Sequence, residues 1–228
     1  MFSIVIPIFN ESENIIYLLK EIKNILRNYE NYEIILVNDC STDNTLEVIT
    51  KIKDNQIRII NNIKNHGQSY SIHKGITNSL NKIIITIDGD GQNDPADIPN
   101  LLNNYLSKND VELVGGIRLK RKDNIIKVIS SKIANIVRSK ILNDNCKDTG
   151  CSLKVFNKHT FLSFPYFDGV HRFLPALFNG FGHKTMFLNV NHRKRKYGVS
   201  KYGTMNRLFK GIRDIIKVKK ILKNKKNG

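Results

Sequence analysis

Ile83-Ile84-Ile85-Thr86-Ile87 runs straight into Asp88-Gly89-Asp90-Gly91-Gln92. A short unbroken apolar run bounded by turn residues is the pattern of a strand buried on both faces, as in the interior of a parallel sheet. Its end carries two carboxylates, an amide and two glycines. A desolvated carboxylate costs several kcal/mol unless it is paired or bound to a cation. Two carboxylates side by side add like-charge repulsion. A divalent ion relieves both penalties, because hard oxygen ligands suit Mg²⁺ or Mn²⁺, and Mg²⁺ commonly joins one or two carboxylates to substrate phosphates. The glycines let the backbone approach a ligand closely. The competing reading is a solvated Asp-Gly turn.

Outward from this junction, further runs rich in Ile and Val predict strands at Phe2–Ile8, Glu33–Val37, Arg58–Asn61 and Val111–Ile117, besides Ile83–Ile87. Between them lie helical patterns. After Ser12, apolar residues recur at Ile15, Ile16, Leu18, Leu19, Ile22, Ile25 and Leu26, and Thr42–Lys53 and Gln68–Leu80 repeat the theme. This alternation predicts an α/β fold with a mostly parallel central sheet and helices on both faces. Ligands in such sheets bind beyond the carboxyl ends of the strands. Three polar clusters occupy those ends: Asn10-Glu11, Asn38-Asp39 and Asp88 to Gln92.

The chain has 228 residues, 40% of them hydrophobic, which suits one large domain with a real core and argues against disorder. Met1-Phe2-Ser3-Ile4 leads directly into a strand pattern, so no signal peptide is expected. No uncharged apolar stretch reaches the length of about 18 residues that a transmembrane helix needs. Cys40, Cys146 and Cys151 have no metal-ligand spacing and read as reduced thiols of a cytoplasmic protein. The six histidines read as surface or loop residues rather than ligands.

The formal net charge is +17, and the stretch 193–228 holds fourteen Lys and Arg against one Asp. Such a tail suits nucleic acid, anionic lipid or phosphate-bearing substrates. Residues 125–142 carry an apolar stripe flanked by Lys127, Lys132, Arg138 and Lys140, an amphipathic helix that faces either the core or a lipid surface. A second helix places Met205, Leu208, Phe209, Ile212, Ile215, Ile216 and Leu222 on one face and basic residues on the other, with a frayed tail from Lys223.

Six segments in order resemble one family. Val5-Ile6-Pro7-Ile8-Phe9-Asn10-Glu11, Ile35 to Asp43 and Asp88 to Gln92 are similar to the signature loops of family 2 inverting glycosyltransferases. Asn65-His66-Gly67-Gln68, Asp148-Thr149-Gly150-Cys151 and Tyr197 to Gly203 resemble the polyprenyl-phosphate branch, typified by dolichyl-phosphate mannosyltransferase. The resemblance covers roughly residues 1 to 215. It implies a nucleotide-diphospho-sugar transferase (GT-A) fold, with a catalytic domain over 1–203. Many members of this branch carry C-terminal transmembrane helices; here the basic amphipathic helix and tail over 204–228 are expected to serve as a membrane-surface anchor instead.

Position by position, the resemblance implies that Pro7, Phe9, Glu11 and Asp39 frame the nucleoside and that Asp88 also faces the nucleotide. Asp90 and Gln92 would hold Mg²⁺ or Mn²⁺ on the donor diphosphate. Arg118 would lie beside the transferred phosphates, Lys127 and Ser131 on the acceptor phosphate, and Arg195, Ser200 and Lys201 over the diphosphate. Asp88, Asp90, Arg118 and Arg195 form the implied catalytic set. Four positions depart from the family pattern: Phe9 replaces the usual Tyr, Asn38 and Cys40 replace Asp and Gly beside Asp39, and Lys127 replaces Arg, keeping the charge but not the bidentate geometry.

The implied reaction moves a sugar, with inversion, from a UDP- or GDP-linked donor to a polyprenyl phosphate. The acceptor is already ionised at neutral pH and needs no general base. The implied location is the cytoplasmic face of a membrane, held peripherally, with room for a separate integral-membrane partner that takes the product. Two other readings stand beside it: a same-fold enzyme with a soluble saccharide acceptor, and a nucleic-acid-binding module. The second leaves the acidic loop unexplained, so nucleic acid is not an expected partner.

Overall fold

A computed structural model describes residues 1–119, 135–195 and 204–226, with side chains of the last stretch described from 211 to 225. Seven strands form one sheet: β1 (Phe2–Ile8), β2 (Tyr32–Asn38), β3 (Ile57–Asn61), β4 (Ile83–Thr86), β5 (Val111–Arg118), β6 (Lys154–Asn157) and β7 (Lys184–Val190). The helices are α1 (Ser12–Ile25), α2 (Thr45–Thr50), α3 (Gln68–Thr77), α4 (Ile98–Leu106), α5 (135–142), α6 (Lys158–Leu162), α7 (Leu174–Gly180) and α8 (Thr204–Lys226). The spatial strand order is β3-β2-β1-β4-β6-β5-β7. Pairing is parallel except where β6 runs antiparallel between β4 and β5.

The period-2 geometry of the strands divides the apolar side chains between two cores. Ile4, Ile6, Ile8, Ile34 and Leu36 face Ile15, Leu18 and Ile22 of α1 and Ile98 and Leu101 of α4. Val5, Ile35 and Val37 point the other way, toward Ile72 and Ile76 of α3 and Leu174 and Phe178 of α7. Each fully buried Ile or Leu contributes about 1.5–3 kcal/mol. Helix α3 lies close on the sheet because Gly75 has no side chain: a Cβ there would stand 2.5 Å from Val5 Cγ1.

All five strands expected from the apolar runs are present, with ends shifted by a residue or so. Two helices are shorter than expected. Helix α2 starts at Thr45 because Thr42 N–H is drawn to Asn10 Oδ1 (2.8 Å) and Thr45 N–H to Asp43 Oδ1 (2.9 Å). Helix α3 stops at Thr77, and the Leu80 amide donates to buried Glu33 Oε1 at 2.6 Å. Strands β6 and β7 were not among the sequence expectations. One is four residues long and opens with a lysine; the other mixes Lys, Thr and Asn into its apolar residues.

At the C-terminal end, α8 continues to Lys226 rather than fraying at Lys223. Met205, Leu208 and Phe209 lie outside the described side chains, and the apolar residues described do not share one face. Ile215, Val218, Ile221 and Leu222 join the second core, while Ile212 and Ile216 are 51% and 64% exposed. An ion pair between Asp214 and Arg172 (2.7 Å) fixes the docked side. No helix among the described residues is long and apolar enough to cross a membrane.

Candidate active site

Strands β2, β1 and β4 are consecutive neighbours and all parallel, so their carboxyl ends open on one edge of the sheet. That topology brings together the three polar clusters read from the sequence. The chain order reverses around β1, and the crevice at such a reversal is where open α/β sheets bind ligands.

At the β1 end, Pro7 and Phe9 lead into Asn10, whose backbone adopts a left-handed φ of 54°. Asn10 then holds the 41–43 turn through its side chain. Glu11 is buried; its N–H donates to Thr45 Oγ1 (2.9 Å) and its Oε2 accepts from Asn14 Nδ2 (2.8 Å).

At the β2 end, Asp39 is 4% exposed and serves as a local hub. Its Oδ1 accepts from Asn62 Nδ2 (2.7 Å) and His66 N–H (3.0 Å), and its Oδ2 from Gly67 N–H (2.7 Å). The Asn65-His66-Gly67 segment is thereby folded over Asp39. Cys40 has φ 59°, a conformation that glycine adopts without strain and other residues rarely do. Asn38 ties the same turn, its Oδ1 accepting from Ser41 Oγ at 2.6 Å.

At the β4 end, Asp88 Oδ1 accepts from Gln68 Nε2 (2.7 Å), and its N–H donates to Ser152 Oγ (3.2 Å). Burial, then the Asp90 charge, push the Asp88 carboxyl up to about 6, against opposing effects of Ser152, Lys154 and Arg118. Gly89 lets the loop press on β1, since a Cβ there would stand 2.5 Å from Ile8 Cγ2. Asp90 Oδ1 accepts from Gln92 N–H (3.1 Å), and Asp90 Oδ2 lies 2.6 Å from Arg195 Nη2. Arg195 Nη1 reaches Glu11 Oε1 at 3.4 Å. The 191–195 segment is held beside the acidic loop by Arg193 N–H donating to Gln92 O (2.8 Å) and by an Asn93–His192 bridge.

The predicted site residues Pro7, Phe9, Glu11, Asp39, Asp88, Asp90, Gln92 and Arg195 thus lie on one edge. Arg118 ends β5, where Asp148 grips it through Nε to Oδ2 and Nη2 to Oδ1, both 2.7 Å. Lys127, Ser131, Ser200 and Lys201 lie outside the described residues. The strength of the Asp148 clasp and the Gln68 contact are signalled in the sequence only by membership of the Asp148-Thr149-Gly150-Cys151 and Asn65-His66-Gly67-Gln68 motifs, and Ser152, whose Oγ accepts from Asp88 N–H, has no sequence signal. Of the histidines, His192 is a loop residue but buried, at 8% exposure, while His171 sits in a short helical turn with Nδ1 2.7 Å from Ser69 Oγ. Cys151 is buried and its thiol pushed up by that burial, as suits packing.

Among the described residues no three His, Cys, Asp or Glu side chains form a ready metal cage. The donor set still fits a hard cation: carboxylates at Asp88 and Asp90 and the Gln92 amide lie within five residues, and the Asp88 carboxyl is raised partly by its neighbour's charge. A cation bound by few protein oxygens completes its shell with water and substrate phosphates, the usual habit of Mg²⁺.

The sheet with its acidic corner is that of a nucleotide-diphospho-sugar transferase (GT-A) fold. Glucosyl-3-phosphoglycerate synthase of Mycobacterium tuberculosis, solved with Mn²⁺, UDP and phosphoglyceric acid, superposes with a TM-score of 0.70 at 16% identity, covering 96% of this chain and 76% of that one. The same enzyme solved with Mg²⁺ and UDP gives 0.69 at 17% identity, covering 96% and 77%. The family model for glycosyl transferase family 2 matches residues 3–167, and the chain belongs to that family. Dodecaprenyl-phosphate galacturonate synthase of Rhizobium johnstonii is 34% identical over 223 residues, covering 95% of this chain and 65% of that protein. Undecaprenyl-phosphate 4-deoxy-4-formamido-L-arabinose transferase of Proteus mirabilis is 34% identical over 204 residues, covering 88% and 62%. The chain therefore spans less than two thirds of the length of these two relatives.

Proposed function

We propose that this protein transfers a sugar from a UDP-linked donor to a polyprenyl phosphate, with inversion at the anomeric carbon. The observation that carries the reading is the convergence of Glu11, Asp39, Asp88 and Asp90 on one sheet edge, bridged by Arg195. The relatives named for polyprenyl-phosphate sugar transfer, and neighbours of the same fold crystallised with UDP, support the substrate classes.

In this reading Pro7, Phe9, Glu11 and Asp39 frame the nucleoside, and Asp88 faces the nucleotide. Asp90 and Gln92 hold a divalent cation, which when bound supplies charge neutralisation for the departing diphosphate. Arg195 moves from Asp90 to that diphosphate, with Arg118, Ser200 and Lys201 contributing charge and hydrogen bonds. Lys127 and Ser131 hold the acceptor phosphate. The acceptor oxygen is already an anion, so the protein's work is positioning and stabilisation of the leaving group.

The second proposal concerns place. Ile212 and Ile216 form an exposed apolar pair one helical turn apart on α8, flanked by Arg213, Lys217, Lys219 and Lys220. Apolar insertion and attraction to anionic lipid would hold the protein on the cytoplasmic face of a membrane, next to its acceptor. The test is transfer from a panel of UDP-sugars to undecaprenyl phosphate in vesicles with Mn²⁺. A radiolabelled lipid-linked product is expected; transfer to soluble saccharides alone would overturn the acceptor assignment.

A further inference from the structure

Lys154 is a cation in an unusual place. It opens β6, is 3% exposed, and pairs with Thr86 of β4 and Gly115 of β5 in the middle of the sheet. A methionine would fill similar space without the cost of desolvating an ammonium. The charge is met by backbone carbonyls: Nζ donates to Cys151 O and, at 3.4 Å, to Thr149 O. Burial draws the Lys154 pKa below the ordinary lysine value, while the Cys151 and Cys146 thiols and the Asp148 and Asp88 carboxylates oppose this.

The loop gripped by Lys154 has a narrow geometric task. Asp148, at its start, accepts from Arg118 at three points: Nε and Nη2, both at 2.7 Å, and the backbone N–H at 3.2 Å. Gly150 lies directly against the guanidinium, for a Cβ there would stand 2.9 Å from Arg118 Nη2. A loop so close on both sides cannot shift without breaking the fork. Two parallel charge-assisted bonds fix the orientation of an arginine as well as its position.

We propose that Lys154 is a positioning residue: it pins the carbonyls of Thr149 and Cys151 so that Asp148 holds Arg118 in one orientation at the end of β5. The consequence for activity rests on the reading above that Arg118 faces the donor diphosphate.

Two readouts on the 228-residue chain test this. The first needs no ligand. Arg118 Nε–H, bonded to Asp148 in a mostly buried ion pair, gives a slowly exchanging ¹⁵N–¹H resonance, identified by its loss in Arg118→Lys. Lys154→Met is expected to remove or broaden it and Lys154→Arg to keep it; should Lys154→Met not fold, Lys154→Gln takes its place. An unchanged resonance in the folded variant would overturn the proposal.

The second readout is UDP–Mn²⁺ affinity by calorimetry. Lys154→Met is expected to weaken binding about tenfold, with rescue by Lys154→Arg and no further loss when Arg118→Gln is already present. A full additional loss in the Arg118→Gln background, or lowered thermal stability with unchanged affinity, would show a packing role instead. If the wild-type protein does not bind UDP–Mn²⁺, the donor reading fails, and the resonance still decides the role of Lys154.

Discussion

Arg195 Nη2 stands 2.6 Å from Asp90 Oδ2, and the same guanidinium reaches Glu11 Oε1 at 3.4 Å. One side chain therefore ties the end of β4 to the end of β1 and gives Asp90 a positive partner. A divalent ion on Asp90 must share or displace that partner.

The first prediction concerns this exchange. Arg195→Met removes the competing cation, so Mn²⁺ binding without nucleotide is expected to tighten about three- to tenfold, a change of about 1 kcal/mol. UDP binding in the presence of Mn²⁺ is expected to weaken by a similar or larger factor, since the same guanidinium is then missing from the diphosphate. Electron paramagnetic resonance of free Mn²⁺ measures the first effect and calorimetry the second. Mn²⁺ affinity that falls in the variant would contradict the exchange.

Asp88 yields a pH prediction. Burial and then Asp90 raise its pKa from 3.8 to about 6, so the folded state binds this proton more tightly than the unfolded state does. Its favourable contribution is complete below about pH 4 and is lost as the pH rises through about 6. In metal-free protein the loss is on the order of 3 kcal/mol. Urea unfolding at a series of pH values is expected to show this component in the wild type and not in Asp88→Asn. Identical profiles for the two proteins would contradict it.

Membrane attachment is best tested without deleting α8, because Val218 and Leu222 dock that helix on the body. Replacing exposed Ile212 and Ile216 with Ser leaves the docked side intact. The double variant is expected to lose most of its sedimentation with anionic vesicles at moderate salt while keeping its melting temperature. Undiminished sedimentation would contradict a role for this face in lipid contact.

Cys40 carries a stability prediction. Its φ of 59° lies in the left-handed region, where a side chain costs about 1–2 kcal/mol. Glycine removes that strain but gives back part of the gain through a freer unfolded chain. Cys40→Gly is expected to raise stability by about 0.5–1 kcal/mol, read from the urea midpoint. A lowered midpoint would mean that the Sγ contact with Ile63 O, 3.6 Å, outweighs the strain.

Much of this was legible in the residues themselves. The Ile-rich runs and the polar clusters after them dictated three strand ends, and the parallel order β2-β1-β4 placed those clusters side by side. What was hidden depended on contacts distant in sequence. Asp148 meets Arg118 across 30 residues, and Gln68 meets Asp88 across 20. Strand β6 is too short for a periodic signal, and its buried lysine reads locally as a surface residue. On α8 the apolar positions are spread widely enough that periodicity could not separate the docked residues from the exposed pair.

The central claim is that a divalent ion on the acidic corner grips the donor's diphosphate. Calorimetry of UDP binding with Mn²⁺ and with EDTA, in the wild type and in Asp90→Ala, tests it directly. Mn²⁺ is expected to tighten UDP binding at least tenfold in the wild type and to have little effect in a folded Asp90→Ala protein. UDP binding that ignores the metal, or an Asp90→Ala variant that responds to Mn²⁺ as the wild type does, would contradict the account.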